Sequence, residues 1–176
     1  MNTDDQILFV VDENDNFIKY ENRRTCHLGN GVHHRAFVVL LENSKGDVLL
    51  QKRKHKLWDN FWDTTAISHP LHLKTGDESY ETAGNRALKT EMGIPQIKLK
   101  KIGGFNYFVP HGDNCENEYC AILTGVYNGE VTPNPDAVYT YKWVSKKEFV
   151  QKCLSNDSSY APWAILTGDF LHNQTQ

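Results

Sequence analysis

No run of 18 apolar residues occurs in the 176-residue chain, so no transmembrane helix is expected. A strong charge of either sign is also missing. The net charge is −3, and no basic run interleaved with aromatics marks a nucleic-acid surface. The four cysteines, Cys26, Cys115, Cys120 and Cys153, form no Cys-x-x-Cys pair. In a chain of this length they read as free thiols, which points to a cytoplasmic protein rather than a disulfide framework. The acidic opening, Met1-Asn2-Thr3-Asp4-Asp5, does not read as a secretory signal. Repeats, low-complexity tracts and linkers are lacking too, so residues 1–176 are expected to form a single domain. What is present, 39% hydrophobic and 23% charged residues, is the balance of a soluble globular protein.

The apolar runs give the element order. Residues 7–11 and 17–20 read as strands around an Asn/Asp turn, and the polar, glycine-containing stretch 21–32 reads as a loop. Residues 36–41 are continuously apolar, the pattern of a strand covered on both faces, and residues 48–51 follow as its neighbour after Asn43–Asp47 turns the chain. Thr75 with Glu78 fits a capping box that opens a helix running to about Met92, closed by Gly93 with Pro95 beyond. Strands are expected over 97–102, 105–109, 116–127 and 137–144, with Asn128-Gly129 as a turn. Ser145 with Glu148 opens another helix, and Pro162 starts a last one over 163–171. This order predicts an α+β domain, a mixed sheet between helices in α/β/α layers.

Chemistry concentrates around Thr64-Thr65-Ala66-Ile67-Ser68-His69-Pro70. Glu116 and Glu118, two apart on an expected strand, share one face, where two carboxylates are costly without a cation. His27, His34 and His69 can complete a mixed nitrogen and oxygen set suited to Mn²⁺, Zn²⁺ or Mg²⁺; the alternative is that they are scattered surface histidines. The basic clusters Arg23-Arg24 and Lys52–Lys56 admit a solvated face or a held phosphate. Trp58, Phe61 and Trp62 read as core or lid aromatics.

The segment Arg86–Ile94 resembles the second half of a Nudix box, whose glutamates at i, i+3 and i+4 cluster charge around Mg²⁺ and a diphosphate. Here those positions hold Ala87, Thr90 and Glu91, so one carboxylate of three remains. A dense cluster is what diphosphate hydrolysis uses to place its water, so hydrolysis is disfavoured.

Five segments in order, Cys26-His27-Leu28, His34-Arg35-Ala36-Phe37, Ser68-His69-Pro70-Leu71, Ala87–Pro95 and Glu116-Asn117-Glu118-Tyr119-Cys120, resemble type 1 isopentenyl-diphosphate isomerases, which have a Nudix fold. The likeness runs from about Tyr20 to Trp163. It implies a divalent metal on His27, His34, His69, Glu116 and Glu118, and a Mg²⁺ at Glu91 that bridges a substrate diphosphate. It further implies proton transfer by Glu118 with Tyr107, a carbocation sheltered by Trp163, and basic contacts at or near Arg23, Arg53 and Lys56. The implied partner is a small isoprenoid, bound by a monomer or weak homodimer.

Two departures matter. The catalytic cysteine position is Ile67, which can neither take nor give a proton, and the diphosphate-binding arginine position is Ala87. Losing an acid/base partner costs about 10²–10⁴-fold in rate. Ordinary interconversion of isopentenyl and dimethylallyl diphosphate is therefore expected to be weak or absent. Four readings remain open. They are protonation followed by cyclisation or hydration of a larger prenylated substrate, residual isomerisation with a thiol such as Cys26, Cys115 or Cys120 replacing the missing one, a non-catalytic prenyl-diphosphate binder, and a Nudix hydrolase.

Overall fold

The computed structural model describes residues 3–174. A mixed sheet lies between helices, as the element order predicts. Its centre is β3 (His34–Glu42) beside β10 (Asn114–Val126), which run parallel with Glu118 opposite His34. On its other edge β10 pairs antiparallel with β9 (Lys100–His111), placing Tyr107 opposite Glu118. The β1 (Ile7–Val11) and β2 (Phe17–Asn22) hairpin extends the sheet on one side. On the other, β4 (Asp47–Arg53) pairs with β11 (Val138–Ser145) and with the short β5 (Trp62–Asp63). The three-residue β6 (Ala66–Ser68) pairs antiparallel with β3, Ile67 against Val38.

Alternation along β3 divides the core into two layers. Ala36, Val38 and Leu40 pack with Phe149 and Cys153 of α3 (Lys146–Leu154) and with Trp163, Ala164 and Leu171 of α4 (Pro162–Asn173). Phe37, Val39 and Leu41 pack with Ala83, Ala87, Leu88 and Met92 of α2 (Tyr80–Met92). A strand buried on both faces has no use for polar alternation, which is why its sequence is one unbroken apolar run.

Three expectations are corrected. Thr75 does not cap α2: the Ser79 side chain does, accepting from the Thr82 amide. The residues before it form a small hairpin of β7 (His72–Leu73) and β8 (Gly76–Asp77), where Gly76 takes φ +122°. Glu78, read as the box glutamate, instead accepts from the Leu71 amide and from Arg86. The stretch 21–32 is not all loop, because Asn22 accepts from the Thr25 amide at 2.8 Å and starts the five-residue α1 (Arg23–His27). Residues 100–111 form one strand rather than two. Gly103-Gly104 reads as an interruption, yet it serves close packing: a Cβ at Gly103 would lie 2.3 Å from the Phe170 ring, and one at Gly104 2.6 Å from the Tyr119 hydroxyl.

Candidate metal centre and adjoining cavity

Five side chains from four segments converge. His27 comes from the last turn of α1, His34 from the first residue of β3, His69 from just beyond β6, and Glu116 and Glu118 from β10. All five are buried, and one ligand atom from each lies within 4.8 Å of the others. Sheet register does part of the placing, since Glu118 is the direct neighbour of His34 across the β3–β10 ladder. The cap at Asn22 does another part, since it starts the helical turn that ends on His27.

The hydrogen bonds prepare two of the three imidazoles as ligands. His27 Nδ1 lies 2.8 Å from the Arg23 carbonyl, and His34 Nδ1 lies 2.8 Å from the Val32 carbonyl. A carbonyl only accepts, so each Nδ1 carries the proton and each Nε2 presents a lone pair. Both Nε2 atoms are buried without a hydrogen-bond partner, although each sits 3.3 Å from a carboxylate, His27 from Glu116 and His34 from Glu118. Buried orphan nitrogens are costly in a finished core and are what a cation site requires. At His69, burial and the neighbouring Arg23 guanidinium hold the imidazole well below its ordinary pKa, in the neutral form. His69 Nε2 lies 2.9 Å from Glu118 Oε1. At His27 burial opposes the charged form, but Glu116 outweighs it and the net shift is upward. These donors fit a first-row divalent ion.

Beside the cluster opens a cavity of about 340 Å³, at the small end of the ~300–1,000 Å³ usual for small-molecule sites. Glu116, Glu118 and Tyr107 form one part of its wall, and Ile67 and Trp163 supply apolar surface. Arg23, Arg53, Lys54 and His55 bring cationic or protonatable groups, and Glu91 reaches in from α2. Lys56 is exposed and not among the lining residues; its neighbours Lys54 and His55 are. No cysteine lines the cavity: all four are buried and free, and burial pushes the Cys26 and Cys153 thiols up to about 12 and the Cys120 thiol well above its ordinary value. No thiol therefore stands on the cavity wall beside Ile67.

The Tyr107 hydroxyl donates to Glu118 Oε2 at 2.5 Å. Burial raises the Glu118 carboxyl, but its polar neighbours, the His34 imidazole foremost and the Tyr107 hydroxyl among them, outweigh this and hold it at about 2. Burial and the Glu118 charge push the Tyr107 phenol well above its ordinary value. The shared proton therefore rests on the phenol. Glu91 behaves oppositely. Burial raises it to about 7 despite the hydrogen bond from Gln51 Nε2 at 2.7 Å and the nearby Arg53 charge.

Sequence reasoning missed Asp63. It is fully buried on β5 and accepts from Trp163 Nε1 at 2.8 Å and 2.9 Å, from Arg53 Nη1 at 2.8 Å and from the Thr64 amide at 2.7 Å. No local pattern in Trp62-Asp63-Thr64-Thr65 marks it, because its partners lie ten and a hundred residues away. Gln51 was also passed over, although a polar residue closing an apolar strand was a usable signal.

The NUDIX domain family matches residues 32–164. An isopentenyl-diphosphate Delta-isomerase I from Camptotheca acuminata is 32% identical over 183 aligned residues, covering 91% of this chain and 78% of the relative. An isopentenyl-diphosphate Delta-isomerase from Haloarcula marismortui is 34% identical, covering 79% and 76%. The chain belongs to the isopentenyl-diphosphate isomerase family of Nudix proteins. Among solved structures, a Deinococcus radiodurans protein superposes with a TM-score of 0.67 at 15% identity, covering 92% of this chain and 96% of that one. That likeness speaks for the fold alone. The buried three-histidine, two-glutamate cluster could hold a metal ion, and no helix among the described residues is long and apolar enough to cross a membrane.

Proposed function

We propose that this protein is a metal-dependent, isomerase-like enzyme that protonates the alkene of a prenyl diphosphate, with ordinary isopentenyl/dimethylallyl interconversion weak or absent. The observation that carries this reading is an intact Glu118–Tyr107 pair next to the five-ligand cluster, in a cavity whose wall holds Ile67 and no thiol. His27, His34, His69, Glu116 and Glu118 would hold the metal, which when bound supplies positive charge that stabilises the Glu118 carboxylate.

The Tyr107–Glu118 pair holds the proton for transfer. A new C–H bond forms at the terminal alkene carbon as the phenol O–H bond breaks, leaving a tertiary cation and taking the Tyr107–Glu118 pair from one negative charge to two. Trp163 offers its ring to that cation, since the indole quadrupole attracts positive charge. Arg23 and Arg53 would receive the diphosphate, with Lys54 and His55 as the further candidates; Arg53 Nε is buried and without a partner. Glu91 would share a Mg²⁺ with that diphosphate.

Ile67 removes the second proton-transfer group, so the cation returns its proton to the pair or is captured by water or by an internal nucleophile, giving hydration or cyclisation. A cavity of about 340 Å³ favours a short prenyl chain over a long one. Hydrolysis is disfavoured by Ala87, which is buried in the α2 core, and by Thr90, whose hydroxyl is committed to the Arg86 carbonyl at 2.8 Å. The test is deuterium exchange from D₂O into isopentenyl diphosphate on metal-loaded protein. Deuterium appearing in recovered substrate or an alcohol product supports the reading. Absence of label and product across a prenyl-diphosphate panel overturns it in favour of a binder.

A further inference from the structure

The carboxylate behind Trp163 belongs to none of the roles above. Asp63 is 0% exposed and is not among the cavity-lining residues, so no substrate atom reaches it. Its contacts are all donors: the Trp163 indole N–H, the Arg53 guanidinium, and the amide and hydroxyl of Thr64. Two of these three partners, Trp163 and Arg53, line the cavity. They also grip each other, with the Arg53 guanidinium carbon 4.9 Å from the centre of the Trp163 ring.

That last contact poses a problem for a cation-facing indole. A fixed positive charge beside the ring repels any second cation drawn to the same π-system. In a buried site this repulsion is poorly screened. A carboxylate 2.8 Å from the guanidinium cancels most of it at longer range. The same carboxylate accepts the indole N–H with both oxygens, which pushes electron density into the ring and deepens its negative face.

From this we infer that Asp63 is a positioning residue that sets the cation affinity of Trp163, neutralising Arg53 and polarising the indole through its N–H. The inference rests on the proposed role of Trp163 as the ring that shelters a carbocation. Trp58, whose ring stands edge-on to Trp163 at 5.1 Å, and the Tyr107 ring at 6.3 Å limit the indole's freedom to turn away. Asp63 therefore acts on a ring already held in place. Its effect is electronic as well as geometric.

The experiment compares two diphosphates of one shape on metal-loaded protein by calorimetry. One ends in a dimethylammonium group, (CH₃)₂NH⁺–CH₂CH₂–, and the other in its neutral isostere, (CH₃)₂CH–CH₂CH₂–. The wild-type protein is expected to prefer the ammonium by about tenfold or more. Asp63→Asn keeps the shape and one acceptor oxygen; it should abolish most of that preference while binding the neutral ligand at least as well. Trp163→Phe, which keeps an aromatic ring and loses the N–H, should lower the preference similarly, and the double variant should lower it little further. If Asp63→Asn keeps the wild-type ratio, or weakens both ligands equally, the inference fails while the cation-sheltering role of Trp163 stands. Should Asp63→Asn not fold, a wild-type ratio in Trp163→Phe overturns the inference. A wild-type protein with no ammonium preference sinks the cation role of Trp163 itself, and the inference with it.

Discussion

Tyr107 and Glu118 face each other across the antiparallel β9–β10 ladder, and the phenol donates to the carboxylate at 2.5 Å. A pair set by strand register needs no loop to assemble it. Removing the hydroxyl should therefore leave the scaffold untouched and remove the proton. Tyr107→Phe is expected to lower turnover of the alkene substrate by about 10²–10⁴-fold. Metal content, measured by elemental analysis, should match wild type. A variant that loses its metal would show that Tyr107 supports the cluster rather than the reaction.

The orphan Nε2 atoms of His27 and His34 predict the behaviour of the metal-free protein. Adding Mn²⁺ or Zn²⁺ should raise the melting temperature in a concentration-dependent manner, because the ion binds the folded state and not the unfolded one. His34→Ala should abolish that shift and bring bound metal below one ion per chain. An equal thermal response in His34→Ala would place the ion elsewhere.

Ile67→Cys tests whether the rest of the site remains competent. The thiol is smaller than the side chain it replaces, so nothing is overpacked, and the cost is a small void of about 1–2 kcal/mol. Interconversion of isopentenyl and dimethylallyl diphosphate, followed by NMR, should rise at least tenfold over wild type. An unchanged rate in a folded, metal-loaded variant would show that the departure runs deeper than one residue.

Glu91 gives a pH dependence of definite sign. Its carboxyl is raised to about 7 in the folded protein by burial, against about 4.3 unfolded. Between those values the folded state holds a proton that the unfolded state has released, so this group's contribution falls as pH rises from about 4.3 to 7 and is level above. Glu91→Gln keeps an acceptor for Gln51 and carries no charge. In metal-free, ligand-free protein it should be more stable than wild type by about 1–3 kcal/mol at pH 8 and indistinguishable near pH 4.5, measured by urea unfolding. The opposite trend would mean that Arg53 or Gln51 dominates over burial.

Much of this was legible in the sequence, and the parts that were not share a cause. The apolar run of β3, the cap at Ser145 and the proline opening α4 depend on neighbours within a few residues, and each read correctly. The five clustered residues were nameable because two glutamates two apart on one strand face want a cation and because the isomerase resemblance singled out three of the eight histidines, but their convergence depends on the β3–β10 register and on the Asn22 cap. Thr75 misled because two candidate caps stood close together, and the short hairpin before α2 decided between them. Asp63 was invisible because its meaning lies entirely in Trp163 and Arg53. Gly103-Gly104 misled because a glycine wanted for packing and one wanted for turning look alike.

The Glu118 main chain is laddered on both sides, parallel to His34 and antiparallel to Tyr107. By contrast, residues 54–61 belong to no strand or helix and include Trp58 and Asn60 at φ +50° and +62°. Amide exchange should accordingly be slower around His34, Glu116 and Glu118 of β3 and β10 than in residues 54–61. The rhythm of binding and release would then belong to one short segment at the basic edge of the cavity, while the Tyr107–Glu118 pair keeps still.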